Sequence, residues 1–309
     1  QGIIWVGTYY GGVNLVYPNY TPFKVYSSSK TGLSSNVVSS ITEDNKRNLW
    51  IGTEGEGLNY LNRQTNTYTN YIYSPNNPNS LSSNLVKSII KDKKGRIWVG
   101  THLGGLNLFK PETSTFTRFT SKRNDTSSIS NDEITSIFED SQGRFWVGTN
   151  NGLNSFNTET GKFIRNRING RTDAVFFIYE DSMHTIWVAT NSGLHQLKNK
   201  SKRFTSRRAD HPTVLPYGDI SCITEDKKGF FWLGTFRNGL FRLDTKKHVY
   251  IQIKEIDGLP SNNIVGVLED EENNLWISTD NGLCKYNQQK KSFDIYNIKD
   301  GLPGNEFNY

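Results

Sequence analysis

One phrase, written seven times, constrains this chain more than any other feature. Trp5, Trp50, Trp98, Trp146, Trp187, Trp232 and Trp276 are its seven tryptophans, and each opens a version of W-(V/I/L)-(G/A/S)-T. The spacings are 45, 48, 48, 41, 45 and 44 residues. Self-similarity at a period of 40 to 50 residues is the signature of a repeat architecture, because each unit has too little core of its own and must stack on its neighbours.

The copy around Trp98 shows what one unit contains. In "NLVKSIIKDKKGRIWVGTHLGGLNLFKPETSTFTRFT", four short β-branched or aromatic runs (LVKSIIKD, IWVGT, LNLFK, FTRFT) are separated by glycine- or proline-bearing turns. Helical periodicity is absent. Four short strands joined by tight turns predict one antiparallel sheet, and stacking such sheets covers their exposed faces. The expected fold is all-β: a seven-bladed β-propeller over residues 1–309, four antiparallel strands per blade. The tail Gly301–Tyr309 reads like the lead-in to a first strand, and the head begins at a second strand. The two ends are therefore expected to share the seventh blade.

This architecture assigns jobs to the recurring residues. On the second strand each tryptophan shares a face with the small residue two places on (Gly52, Gly100, Gly148, Ala189, Gly234 or Ser278), which leaves room for a bulky group from the next sheet. The tryptophans are expected between blades. Asp44, Asp92, Asp140, Asp181, Asp226 and Asp270 end the first strands, where an aspartate caps the backbone N–H groups of the following turn. A carboxylate repeated in every unit is scaffold; a catalytic one is needed once.

Hydrophobic residues make up 34% of the chain, which suits thin cores between sheets better than one large core. Cys222 and Cys284 fall in strand-like runs of different repeats, and are expected to be separate buried thiols. The sequence has no run of 18 apolar residues. It opens in mid-repeat, as expected of a piece of a longer protein.

Binding is expected where the repeats differ. The residues after each W-x-G-T phrase include Tyr9, Tyr10, Glu54, His102, Asn150, Phe236, Arg237 and Asp280. Numbering strands from the inside outward places them all on one face, around a central funnel. Aromatic faces mixed with charged and amide groups suit a polyhydroxylated ligand, whereas solvated loop tips would show the same freedom to vary. The opposite face collects Lys46, Arg47, Lys93, Lys94, Lys227 and Lys228, together with Lys198, Lys200, Lys202, Lys246, Lys247, Lys290 and Lys291. With 36 basic against 30 acidic residues the net charge is +6, and a basic face meets an anionic polysaccharide, a lipid surface or a partner domain. No nucleic-acid-binding motif accompanies the charge. The sequence has no nucleophile elbow, zinc-protease motif, phosphate loop or dinucleotide fingerprint, and its histidines lack metal-ligand spacing. No catalytic residue, metal or cofactor is therefore expected. A glycoside hydrolase using two of Glu54, Glu56 and Asp280 is the enzymatic alternative.

The stretches "LWIGTEGEGLNYLNRQTNTYTNY", "IWVGTHLGGLNLFKPETSTFTRF" and "FWVGTNNGLNSFNTETGKF", with their L-S/P-x-N lead-ins, resemble two-component regulator propeller repeats. Such repeats build the periplasmic sensor regions of hybrid two-component histidine kinases in glycan-degrading gut bacteria. The resemblance implies the second propeller of such a region, anchored at the inner membrane and recognising an oligosaccharide. It further implies a neighbouring propeller and β-sandwich, pairing of receptors as a homodimer, and a kinase outside this chain. The basic balance points to an acidic glycan. A propeller that only positions the dimer is the structural alternative.

Overall fold

The computed structural model describes residues 4–8, 12–17, 20–168, 170–198, 203–206, 220–245, 247 and 249–307. Apart from two single-turn 3₁₀ segments, the regular structure in them is all β. The expected strands of the Trp98 repeat appear as Val86–Lys91, Ile97–Thr101, Gly105–Lys110 and Thr115–Phe119, paired in chain order. Five further sheets repeat this antiparallel meander; they begin at Val38, Ile134, Val175, Ile220 and Ile264. The fold is an all-β propeller with four strands per blade.

Among the described residues it has six such blades, not the seven expected. The strands Ile4–Thr8, Gly12–Tyr17 and Tyr20–Tyr26 form a sheet of only three. The tail does not supply the fourth strand: residues 301–307 adopt turns and bends, and the Phe307 N–H donates to the Thr279 carbonyl at 3.1 Å. Head and tail meet through side chains instead. Phe23 shares a buried cluster with Trp276, Leu283, Leu302 and Phe307, and its ring lies edge-on to Tyr296 at 5.5 Å.

The chain divides into two compact units, residues 26–178 and residues 1–25 with 179–309. In the first, Trp50 packs with Val86, Ile89 and Ile97 of the following blade, and Trp98 with Ile134, Ile137 and Phe145 of the one after. Trp187, Trp232 and Trp276 of the second unit are buried as well. Burying an indole removes about 150–250 Å² from water, worth roughly 4–6 kcal/mol as an upper estimate. That exceeds any single hydrogen bond at these sites, so inter-blade packing is what the tryptophans are for. The small residue beside them leaves the expected room. A Cβ on Gly52 would lie 2.4 Å from Val86, one on Gly100 2.4 Å from Ile134, and one on Gly234 2.7 Å from Ile264, each a residue of the next blade.

The six aspartates do cap their turns. Oδ1 of Asp92 accepts the backbone N–H groups of Lys94 and Arg96 at 3.0 and 2.8 Å, and each of the other five accepts from residues two and four places on. The links between blades are tied down too. Arg118 donates to the carbonyls of Asn77, Ser80 and Leu81, and Arg165 to those of Asp125, Ser128 and Ile129.

Candidate functional site

In five blades the register slips by one residue near the start of the first strand, at Ser39, Lys87, Thr135, Ser221 and Val265. A β-bulge of this kind re-aims the extra side chain. Two of them reach the next blade: Ser39 Oγ donates to the Val86 carbonyl at 2.6 Å, and Ser221 Oγ to the Ile264 carbonyl at 2.5 Å. Lys87 reaches the preceding one, where its Nζ donates to Glu54 Oε1 at 2.6 Å. The bulge at Lys87 thus brings a first-strand residue against a variable position, that of Glu54.

In unit 26–178, three predicted residues meet such partners. Glu54 is paired with Lys87, and both side chains are mostly buried. His102 and Asn150 converge on Glu133: Asn150 Nδ2 donates to Oε2 at 2.9 Å, and His102 Nδ1 lies 3.3 Å from Oε1 without the alignment of a hydrogen bond. In the other unit Asn263 links two more. It bridges the backbone of Phe236, and its Nδ2 donates to Asp280 Oδ2 at 2.7 Å. Tyr9 and Tyr10 lie outside the described residues, as do Lys200, Lys202 and Lys246. The sequence reading missed Lys87, Glu133 and Asn263, which flank the first residue of a first strand; the variable column there was the available signal.

Arg237 differs from the rest. Its φ is +119°, the value Gly55 takes at the matching turn position (+121°), and its side chain is exposed. A non-glycine residue there costs about 1–3 kcal/mol, and such strain persists where surrounding structure imposes it. The Arg237 N–H donates to the Asn262 carbonyl at 3.3 Å, which helps hold the turn.

The expected basic face is partly spent on structure. The Lys93 N–H donates to Glu139 Oε2 at 2.6 Å, and its Nζ to the carbonyls of Asp140 and Ser141 at 2.8 and 2.5 Å. Lys227 repeats the arrangement on Glu269, Asp270 and Glu271. These lysines staple one blade to the next. Among the described residues no group of three or more His, Cys, Asp or Glu could hold a metal ion, and no helix is long and apolar enough to cross a membrane.

The sequence profile of the two component regulator propeller family matches residues 32–55, 80–102, 128–151, 214–237 and 258–281. The chain carries two-component regulator propeller repeats. The matched segments run from the blade lead-in through W-x-G-T, which is the part that makes the bulge, the aspartate turn and the tryptophan wedge. A 52-residue stretch is 46% identical to Histidine kinase P4 of Formosa agariphila, covering 17% of this chain and 4% of that protein. Among solved structures, one described as the extracellular domain of a hybrid two component system from B. thetaiotaomicron aligns with 95% of this chain and 47% of its own, at 19% identity and a TM-score of 0.55. PorZ, a surface component of the type-IX secretion system of Porphyromonas gingivalis, aligns over 89% of this chain and 43% of its own at 19% identity and a TM-score of 0.68. Virginiamycin B lyase of Staphylococcus aureus does so over 85% and 84%, at 16% identity and 0.64. At such identities these likenesses are of fold. The chain spans less than half of the B. thetaiotaomicron and P. gingivalis chains.

Proposed function

We propose that this chain is a ligand-binding sensor propeller of a hybrid two-component system, held outside the cytoplasm and without chemistry of its own. In this reading it recognises a glycan fragment and biases a histidine kinase encoded beyond these residues. The observation that carries the reading is the five-fold match to two-component regulator propeller repeats, together with the likeness of one stretch to a histidine kinase. Periplasmic placement follows from the same reading.

The ligand would sit on the edge where the repeats diverge. Glu54, His102, Asn150, Phe236, Arg237 and Asp280 occupy matching turns there, with Tyr9 and Tyr10 expected beside them. Their chemistry is that of sugar recognition: an aromatic face, amides, carboxylates and a guanidinium. Arg237 supports this best, being exposed and in a backbone region that a non-glycine residue rarely adopts. The Glu54 carboxylate is committed to Lys87 and that of Asp280 to Asn263, a poorer arrangement for hydrolysis than for binding.

The test is a thermal-shift screen against acidic and neutral oligosaccharides, followed by calorimetry on any hit with the Tyr10→Ala and Arg237→Ala variants. Tenfold or greater loss of affinity in either variant is expected. Unchanged binding in both removes the site from this edge, and shortening of the oligosaccharides would replace binding by hydrolysis.

A further inference from the structure

The blades repeat one arrangement around the tryptophan, and the blade of Trp50 breaks it. Trp98, Trp146, Trp187, Trp232 and Trp276 each donate the indole N–H to Oδ2 of the aspartate six residues earlier, at 2.7–3.1 Å. Trp50 does not. Oδ2 of Asp44 instead faces the hydroxyl of Tyr60 at 3.2 Å, and among the described residues the Trp50 N–H has no partner.

A second part is missing from the same place. Over four of the other tryptophans lies a cation: Arg96 over Trp98, Arg144 over Trp146, Arg242 over Trp232 and Lys285 over Trp276, at 5.3–5.6 Å. These cations come from one of two positions, the residue two before the tryptophan or the one paired with it across the third strand. In the Trp50 blade those positions hold Asn48 and Tyr60, and no described cation lies over the indole.

What occupies the space is a wall of rings around a cavity of about 630 Å³. Tyr60 and Phe109 lie 4.7 Å from Trp50, and Tyr71 stacks on it at 5.8 Å. Burial pushes the Tyr60 and Tyr71 hydroxyls above the ordinary tyrosine range, and the Tyr60 hydroxyl donates to Asp44. Two acids, Asp44 and Glu112, and four cations line the same cavity. Of the cations, Lys94 is paired with Glu159 and Arg96 with Asp92, whereas Lys46 and Lys110 are exposed and their ammonium groups have no ion-pair partner among the described residues. Asp44 is committed to its turn and to Tyr60.

The geometry points to a binding site between the Trp50 and Trp98 blades for an acidic sugar, a pyranose bearing a carboxylate or sulfate. The C–H faces of the sugar ring pack on Tyr60 and Tyr71, the anionic group meets Lys46 and Lys110, and the Trp50 N–H is free to donate to a ring or hydroxyl oxygen. A cavity of this size lies within the range of small-molecule sites and holds two or three sugar rings. A cavity of about 510 Å³ lies at the matching place of the Trp232 blade, but there Arg242 stands over the indole and the indole N–H is bound to Asp226, whereas the Trp50 N–H has no partner among the described residues. The site shares its ligand class with the sensor reading above, but none of its residues, and stands if the turn residues prove idle.

Calorimetry with a galacturonate trimer, a sulfated galactose trimer and neutral maltotriose tests it on the whole chain. The double variant Lys46→Glu/Lys110→Glu should weaken an anionic trimer at least tenfold and flatten the salt dependence of binding, with an unchanged melting temperature. The two anionic probes then separate carboxylate from sulfate recognition. Asn48→Arg, which restores the residue found at this place before Trp98 and Trp146, should abolish binding by plugging the cavity. Phe236→Ala/Arg237→Ala should leave binding here unchanged and affect only the sensor edge. Failure of every anionic trimer to bind, equal binding of maltotriose, or full affinity in the double lysine variant overturns the proposal; the surface lysine variant decides even if Asn48→Arg does not fold.

Discussion

The indole N–H of Trp98 donates to Oδ2 of Asp92 at 2.9 Å, while Oδ1 of the same carboxylate holds two backbone N–H groups of the turn. One aspartate thus fixes both the first hairpin and the angle at which the tryptophan enters the next blade. Arg96 closes the unit: its Nε donates to the same Oδ2 at 2.6 Å, and its guanidinium lies over the indole.

Replacing Asp92 by Ala should therefore cost more than a turn. It strands the indole, the turn N–H groups and a half-buried guanidinium together, and about 3 kcal/mol of destabilisation is expected. Trp98→Phe removes the indole bond while keeping an aromatic ring, and about 1–2 kcal/mol is expected. Urea unfolding of the two variants and the double mutant checks this. Additive losses would show that the carboxylate and the indole act independently.

Gly100 has no room for a methyl group, since an added Cβ would lie 2.9 Å from Ile134 Cβ and closer still to its Cγ2. Gly100→Ala should destabilise by about 1–3 kcal/mol through overpacking. Combined with Ile134→Ala, the loss should fall short of the sum of the single losses by more than 0.5 kcal/mol, because the second change removes the Cγ2 that the added methyl meets most closely. A strictly additive cycle, measured by chemical denaturation, would contradict the inter-blade contact.

The two cysteines are buried and separate, as expected. Burial pushes the Cys222 thiol up to about 11 and the Cys284 thiol up to about 12. At pH 8 the thiolate fraction is then roughly one in a thousand or less, so neither should react with a thiol reagent in the folded chain. Both should label fully in denaturant. Mass spectrometry after a short alkylation pulse distinguishes the outcomes.

Asp270 carries a pH dependence of definite sign. Burial pushes its carboxyl upward, but hydrogen bonds from the Asn274 backbone and side chain and from the Trp276 indole, with the charge of Lys285, outweigh it and hold the group below its ordinary value. A carboxyl lowered in the folded state contributes stability that is fully present above the ordinary aspartate pKa and is lost as pH falls through the folded value. The stability gap between the parent chain and Asp270→Asn should therefore be widest near neutrality and shrink below roughly pH 4. A gap that stays constant on acidification would refute it.

Much of this protein was legible without coordinates because its signals are local and repeated. Strand, turn, aspartate cap and the small residue beside the tryptophan depend on neighbours within one hairpin, and seven copies of W-(V/I/L)-(G/A/S)-T state them redundantly. The count of complete blades was not legible. Phe307 stands where Ile264 begins a first strand, yet among the described residues it meets the head through side chains, packing with Phe23 around Trp276.

The variable turn residues were visible as a column, but their partners were not. Lys87 meets Glu54, and Glu133 meets both His102 and Asn150, across distances in sequence that no local pattern encodes. The Trp50 cavity shows the same division. The sequence by itself determined that neither Asn48 nor Tyr60 is a cation, whereas the repeats of Trp98, Trp146, Trp232 and Trp276 each place an arginine or lysine at one of these two positions. Only the tertiary structure decided that the change opens a space, because a cavity is a property of two blades packed face to face, and the Phe109 ring and Lys110 that help line it come from the next blade.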